Sequence, residues 1–412
     1  MTSLWTAPNR ARTTLLRGPL ASVRHATDLV IEHSPNPSRA PSAVIKKGPP
    51  TGGRSAASGH TATVFGCTGF LGRYLVAKLA KIGTQVIVPY RNEDEKRHLK
   101  ITGDLGQVIP MEWDVRNPDQ IHECLKHSDV VYNLVGRDWE TRNFKYDDVN
   151  VKGPGLIASV AAESNTPRLV HVSHLNASPT SSSEFYRSKY QGERAVRDAF
   201  PEATIVRPAP LFGAEDWLLN AMAQFPILYQ LNGGNTKTVP AHVLDVASAL
   251  CTMLNAPITA TASTFVLPGP QAYTYNELLN LVTFFTMKPV PNYPTVPQGL
   301  AKLFATILNR ALWWPTVSPD EIERKYVDDA GLETLFAPQQ ESKPSGWGTS
   351  GSAAMRGIDG EPVKGWAELD IEPALIEHHA IKYLRRYRDS VNYDVPVELG
   401  QFKPPRRYHV VP

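Results

Sequence analysis

Residues 61–83 read TATVFGCTGFLGRYLVAKLAKIG. Thr63-Val64-Phe65 is a short β-rich run that stops at Gly66. Gly66, Cys67, Thr68, Gly69, Phe70, Leu71 and Gly72 then form a loop with G-x-x-G-x-x-G spacing. Leu71, Leu75, Val76 and Leu79 recur at helical spacing, so the loop is expected to open an amphipathic helix. A glycine loop between a strand and a helix N-terminus gathers backbone N–H groups and the positive end of the helix dipole at one spot. The missing side chains let a pyrophosphate approach the backbone. Alone the spacing is weak, but directly after a strand and ahead of a helix it is specific.

The unit repeats along the chain. QVIVPY at 85–90, 108–113, DVVYNLV at 129–135, RLVHVS at 168–173 and ATIVR at 203–207 read as buried strands. Helical patterns at 118–126, 149–164 and 184–199 fall between them. Apolar strands alternating with helices predict an α/β fold, a Rossmann-type doubly wound parallel sheet. Its ligand is expected across the carboxyl ends of the strands. The organisation expected is a dinucleotide-binding domain over 60–290 and a smaller mixed or helical C-terminal region over 291–412. That region carries a Gly/Ser-rich insertion at 338–360 and an amphipathic helix at 373–388. On that helix His378 and His379 are expected to face solvent.

Composition narrows the function. The chain has 412 residues, and 43 Lys+Arg against 40 Asp+Glu give 43 − 40 = +3. Arg10, Arg12, Arg17 and Arg24 place +4 in the acid-free stretch 1–27, which leaves 3 − 4 = −1 for the rest. A near-neutral body has no electrostatic footprint for nucleic acid. Three scattered cysteines, Cys67, Cys124 and Cys251, suggest neither a disulfide framework nor a metal site. No apolar run reaches the ~18 residues that suggest a membrane-crossing helix. The Arg-rich, Ser/Thr-rich leader at 1–27 suits a mitochondrial presequence, with a disordered basic tail as the alternative. Residues 28–59, rich in Pro and Gly, read as a linker or arm. Leu300–Trp314 (LAKLFATILNRALWW) is apolar, aromatic and weakly basic. It suits a membrane interface or a partner helix, and equally core packing.

At the end of the second strand, Val88-Pro89-Tyr90-Arg91, no acid stands ready for a ribose 2′-hydroxyl. Arg91 suits a 2′-phosphate, so NADPH is the expected cofactor unless Arg91 merely opens the solvated run RNEDEKR.

GCTGFLG at 66–72, Asp114, NLVGR at 133–137, NVKG at 150–153, HVS at 171–173 and VRPAPLFG at 206–213 together resemble the extended and atypical short-chain dehydrogenase/reductase family over roughly 60–290. The resemblance implies that the glycine loop, Asp114 with Val115, Leu134, Val135, Gly136, Ser173, Lys189 and Pro208 line the cofactor. Asp114 would lie at the adenine and Pro208 near the nicotinamide.

Enzymes of the family use a Tyr and a Lys four residues apart on one helix face. The Lys helps the phenol exchange a proton with the substrate, and a Ser polarises the substrate oxygen. Here Ser173 and Lys189 are present, but Phe185 stands four residues before Lys189. Phenylalanine has no proton to give, so the site Ser173, Phe185, Lys189 reads as degenerate with no catalytic residue. Tyr186 is displaced by ~100° around the helix and is expected to point elsewhere. His171 and His174 read as packing residues, with no metal expected.

Within the family, the stretches 87–117, 135–144, 171–208 and LRRYR at 384–388 resemble the NADPH-binding accessory subunits of mitochondrial respiratory complex I. That resemblance implies a peripheral place on the matrix side of the inner membrane. The partners implied are other complex I subunits, with lipid contact at the membrane surface. The competing readings are a matrix NADPH-dependent reductase or epimerase-like enzyme acting on a small carbonyl compound, and a cofactor-free scaffold.

Overall fold

In the computed structural model the described residues are 29–32, 42–45, 58–224, 230–255, 262–288, 294–311, 318–330 and 357–393. The leader at 1–27, most of the insertion at 338–360 and Trp313-Trp314 lie outside them.

Seven strands form one parallel sheet: β1 (Thr61–Phe65), β2 (Gln85–Tyr90), β3 (Val108–Glu112), β4 (Val130–Asn133), β5 (Arg168–Val172), β6 (Thr204–Pro208) and β7 (Thr264–Leu267). Their order across the sheet is β7-β6-β5-β4-β1-β2-β3. Each adjacent pair is parallel. The order reverses between β1 and β4, so a crevice opens there at the strands' carboxyl ends. Six of the strands stand where the sequence reading put them. β7 was not foreseen, because a four-residue apolar run has no periodicity to read.

Helices cover both faces. α1 (Phe70–Lys81), α2 (Glu93–Lys100) and α7 (Val243–Thr252) lie on one. Leu71, Leu75, Val76 and Leu79 of α1 pack there with Val243, Val246 and Leu250 of α7 over Val64, Val86 and Tyr132. α3 (Pro118–Leu125), α4 (Gly153–Glu163) and α5 (Glu184–Ala199) cover the other. Ile121, Ile157 and Val196 meet Phe65, Val131 and Leu169 there. Each such aliphatic side chain contributes roughly 1.5–3 kcal/mol by leaving water.

A smaller layer joins α6 (Leu219–Gln224), α8 (Tyr275–Thr286) and α11 (Ile376–Leu384) around Phe212, Leu278, Phe285, Ile376 and Leu384. Contacts run across residue 290. Lys364 bridges Phe265 of β7 in parallel, and Trp366 Nε1 donates to the Pro268 carbonyl at 2.6 Å. The stretch expected as an arm contains an antiparallel strand pair, Leu29–Glu32 with Ser42–Ile45. His379 departs from its expected solvated position. Its ring stacks on His242 with centroids 4.1 Å apart, and α11 is thereby seated on the start of α7.

α9 (Gln298–Ala311) and α10 (Pro319–Arg324) form a separate pair. Ala301, Ala305 and Ile322 make their small core. Leu300, Leu303, Phe304 and Ile307, spaced along one stripe of α9, are each more than half exposed. Among the described residues nothing packs over that stripe, while Ala301 and Ala305 on the opposite side of α9 are buried. Among the described residues no helix is long and apolar enough to cross a membrane.

Candidate functional site

The glycine loop leaves β1 at the switch point. Gly66 has φ +79°, a conformation that favours glycine, and a Cβ there would lie 2.9 Å from the Leu134 carbonyl carbon. At Gly72 a Cβ would meet Gly66 O at 2.4 Å and the Cys67 Cα at 2.7 Å, so glycine lets α1 sit against the loop. Gly69 stands at the N-cap of α1 with no side-chain cap, and the first turn carries no acid. Thus the first N–H groups of α1 have no side-chain acceptor, whereas Asn92, Asn117, Thr274 and Ser318 cap α2, α3, α8 and α10. Cys67 lies within this loop. Its thiol donates to the Pro89 carbonyl at 3.2 Å, and burial pushes its pKa up to about 12, so it packs rather than reacts.

Arg91 follows β2 and is exposed to solvent. Near it stands Arg137, whose pKa is lowered first by burial and then by the like charge of Arg91. The sequence reading passed over Arg137. Asp114 is exposed after β3, where its Oδ1 accepts from the Arg116 N–H at 2.8 Å. Val115 lies against the start of α4, with its Cγ2 at 2.9 Å from a Cβ placed on Gly153.

Asn150, buried in a π-helical turn at Asp147–Lys152, holds the loop after β4. Its Oδ1 accepts from the Arg137 N–H at 3.1 Å. Its Nδ2 donates to the Arg137 carbonyl at 3.2 Å and to Ser188 Oγ at 3.0 Å. This loop clamp gives the Asn of the NVKG stretch at 150–153 a physical role. α5 approaches closely because residue 192 is glycine: a Cβ there would lie 2.0 Å from the Asn150 carbonyl oxygen.

Lys189 of α5 is buried, and a Cβ on Gly136 would lie 2.4 Å from its Nζ. Burial lowers its pKa to about 8, against upward pulls from Glu193 and Asp138. Ser173 Oγ and Asn133 Nδ2 are buried polar atoms with no partner among the described residues. Ser173 lies just past the end of β5, and Asn133 is the last residue of β4. Pro208 ends β6, and its carbonyl accepts from the Leu175 N–H at 2.9 Å.

An uncapped helix start, a cradle with glycine at its closest backbone approaches, orphaned polar atoms and three cationic side chains along one crevice fit a dinucleotide phosphate.

The remaining triad position is apolar. Phe185 shares a face with Lys189, whose Nζ lies 5.9 Å from the ring centroid. The ring packs among Tyr146, Tyr186, His174 and Val327. Tyr186 lies in the same cluster, 5.6 Å from the Phe185 centroid and tilted on His174 with centroids 5.0 Å apart, and burial raises its pKa. Burial and Lys189 lower His171 and His174 to about 3, so both are neutral at physiological pH. Among the described residues no group of three or more His, Cys, Asp or Glu could hold a metal ion.

With that geometry in place, comparison with known proteins identifies relatives. A family model described as "NAD dependent epimerase/dehydratase family" matches residues 62–266. The mitochondrial NADH-ubiquinone oxidoreductase 40 kDa subunit of Neurospora crassa is 45% identical over 345 residues, 84% of each chain. The rat mitochondrial NADH dehydrogenase [ubiquinone] 1 alpha subcomplex subunit 9 is 38% identical over 351 residues, 84% of this chain and 85% of that one. The ceramide reductase of Caulobacter vibrioides is 32% identical over 226 residues, 52% of this chain and 67% of its own.

Proposed function

We propose a function on one premise: the chain belongs to the family of the mitochondrial NADH-ubiquinone oxidoreductase 40 kDa and alpha subcomplex 9 subunits, and its residues 62–266 form an NAD dependent epimerase/dehydratase domain. It serves as an accessory subunit of mitochondrial complex I that holds NADPH as a structural ligand and does not turn it over. Residues 1–27 direct it to the mitochondrion, and it sits at the matrix side of the inner membrane. The exposed stripe Leu300, Leu303, Phe304 and Ile307 rests on the membrane surface, with Arg310 exposed in the last turn toward lipid headgroups.

The observation that carries the reading is 45% identity over an alignment that covers 84% of both chains, joined to Phe185 in the proton donor's place. The test is to tag the protein in its own cells, separate native mitochondrial membranes, and extract the nucleotide from the tagged band. Co-migration with complex I and NADPH at about one per chain is expected. A free matrix protein, or an empty one, overturns it.

A reductase reading draws on the similarity to a ceramide reductase and on the retained Ser173 and Lys189. Phe185 opposes it.

Cofactor choice gives a direct test. Arg91→Ala is expected to weaken NADPH binding more than NADH binding. A charge-assisted phosphate contact contributes ~1.5–3 kcal/mol, or roughly 10–150-fold in affinity. Equal losses, measured by fluorescence titration with each nucleotide, would remove Arg91 from the 2′-phosphate.

Affinity is also expected to depend on pH. Lys189 titrates at about 8 without ligand. The nucleotide's negative charge favours the ammonium form, so binding takes up a proton once Lys189 has lost its own. Affinity should therefore be flat below pH 8 and fall as pH rises through it, by at most about tenfold per unit for one coupled proton. Titrations at pH 7 and pH 9 check the sign. Lys189→Met should remove the slope, and a slope that persists in it would assign the proton elsewhere.

A further inference from the structure

Phe185 is covered by a distant part of the same chain. The Arg324 guanidinium lies 4.8 Å from the Phe185 ring centroid, and its Nη2 donates to the Asp138 carbonyl at 2.8 Å. Asp138 is two residues past Gly136, in the loop that Asn150 clamps. Asp320 caps α5 from outside: it accepts from Ser183 Oγ at 2.9 Å and from the Glu184 N–H at 2.8 Å. Arg324 and Asp320 also pair at 3.5 Å.

Residue 329 pins the other end of this segment. Asp329 accepts from Asn176 Nδ2 at 2.8 Å, Thr238 Oγ1 at 2.7 Å and the Val239 N–H at 2.8 Å. The Ala330 N–H donates to Asn176 Oδ1 at 2.7 Å. Asn176 follows Ser173 by three residues. Residues 318–330 therefore run over the degenerate triad from α5 to the loop after β5.

The far side of this segment is α9. Ile322 packs on Ala301 and Ala305, and Glu323 pairs with Lys302.

We propose that residues 318–330 are a strap that takes the place of a substrate and couples nucleotide occupancy to the order of α9. This rests on the reading of the crevice as an NADPH site. The strap and the nucleotide share supports: the Gly136–Asp138 loop and the Phe185–Lys189 face of α5. A nucleotide that fixes Gly136 and Lys189 also fixes the carbonyl and the ring on which Arg324 sits. Arg324 in turn holds α10, and α10 is the floor under α9. Binding is therefore stronger to the strapped state than to an unstrapped one, and the linkage is reciprocal. The exposed stripe of α9 is then presented in a fixed position only by the nucleotide-loaded protein.

Hydrogen–deuterium exchange on the full chain, with and without saturating NADPH, tests this. In the wild type, amides of 298–311 and 318–330 should exchange about 5-fold or more slowly with nucleotide, the lower end of common coupling strengths. Arg324→Ala, at saturating nucleotide, should lose that dependence in both segments. Glu323→Gln, which cuts only the α10–α9 ion pair, should keep it in 318–330 and reduce it in 298–311. A full response in both variants overturns the strap, as does bound nucleotide that leaves 298–311 of the wild type unchanged. A wild-type chain that retains no NADPH overturns the cofactor reading itself and the coupling with it.

Discussion

Bound NADPH should survive a broad carbonyl panel unoxidised when its absorbance is followed for seconds in a single-turnover mixture. Hydride transfer to a carbonyl leaves an alkoxide, which needs a proton from an adjacent acid. Phe185 supplies none, and losing a general acid removes ~10²–10⁴-fold in rate. Neither Tyr186 nor His174, two protic side chains packed against the Phe185 ring, replaces it. Tyr186 is held against His174, and burial raises the pKa of its phenol. His174 is neutral at any physiological pH, and its Nδ1 already accepts from the Asn176 N–H at 3.1 Å.

Phe185→Tyr should not restore turnover. The new hydroxyl would stand beneath Arg324 and Val327, where the chain itself fills the approach a substrate would need. Restoring the residue without the route leaves the rate at background, and assembly should be unaffected. Stoichiometric oxidation of bound NADPH within seconds by any panel member would overturn the structural reading in favour of the reductase.

The contrast between Phe185 and Arg324 marks what the sequence could and could not say. Phe185 was legible because the triad spacing is local: Tyr and Lys must sit four residues apart to share a helix face. The glycine loop was legible for the same reason, and so were six strands whose apolar runs alternate with helices. Arg324 was not. It belongs to a short polar helix with no periodic signature, and its contacts with Asp138 and Phe185 are made only when the chain folds back. His379 failed the same way. A His-His pair on a polar helix face reads as solvated until His242, far away in sequence, is seen stacked against it. Arg137 and Asn150 lay inside quoted motifs, but their roles depend on a loop clamp between distant elements. β7 is four residues long, too short for periodicity to show.

Gly69→Asp should abolish NADPH binding and, through it, lower both stability and incorporation into complex I. The choice of glycine matters. At Gly72 a Cβ would strike backbone at 2.4 Å, so substitution there would damage the fold with or without ligand. At Gly69 φ is −71°, which any residue adopts, and a Cβ would meet only Gly66 O at 3.3 Å, a tight contact that the loop must relieve by a few tenths of an ångström. An aspartate at this N-cap can even accept from the free N–H groups of α1, a favourable cap. The apo fold should therefore stay close to wild type in stability. What changes is the crevice: a fixed carboxylate now stands where a pyrophosphate would bring its own negative charge, and repels it. Wild-type protein at NADPH 100 times its dissociation constant should gain ~2.7 kcal/mol, the linkage expected of a ligand that binds only the folded state. The variant should gain none. Thermal melts with and without NADPH read this directly: the wild-type midpoint rises and the variant's does not, while their apo midpoints agree. In cells the same loss should appear as less subunit in the assembled complex. A variant that still shifts with NADPH would place the nucleotide elsewhere. One that loses the shift yet assembles normally would show that the bound nucleotide is not what assembly requires.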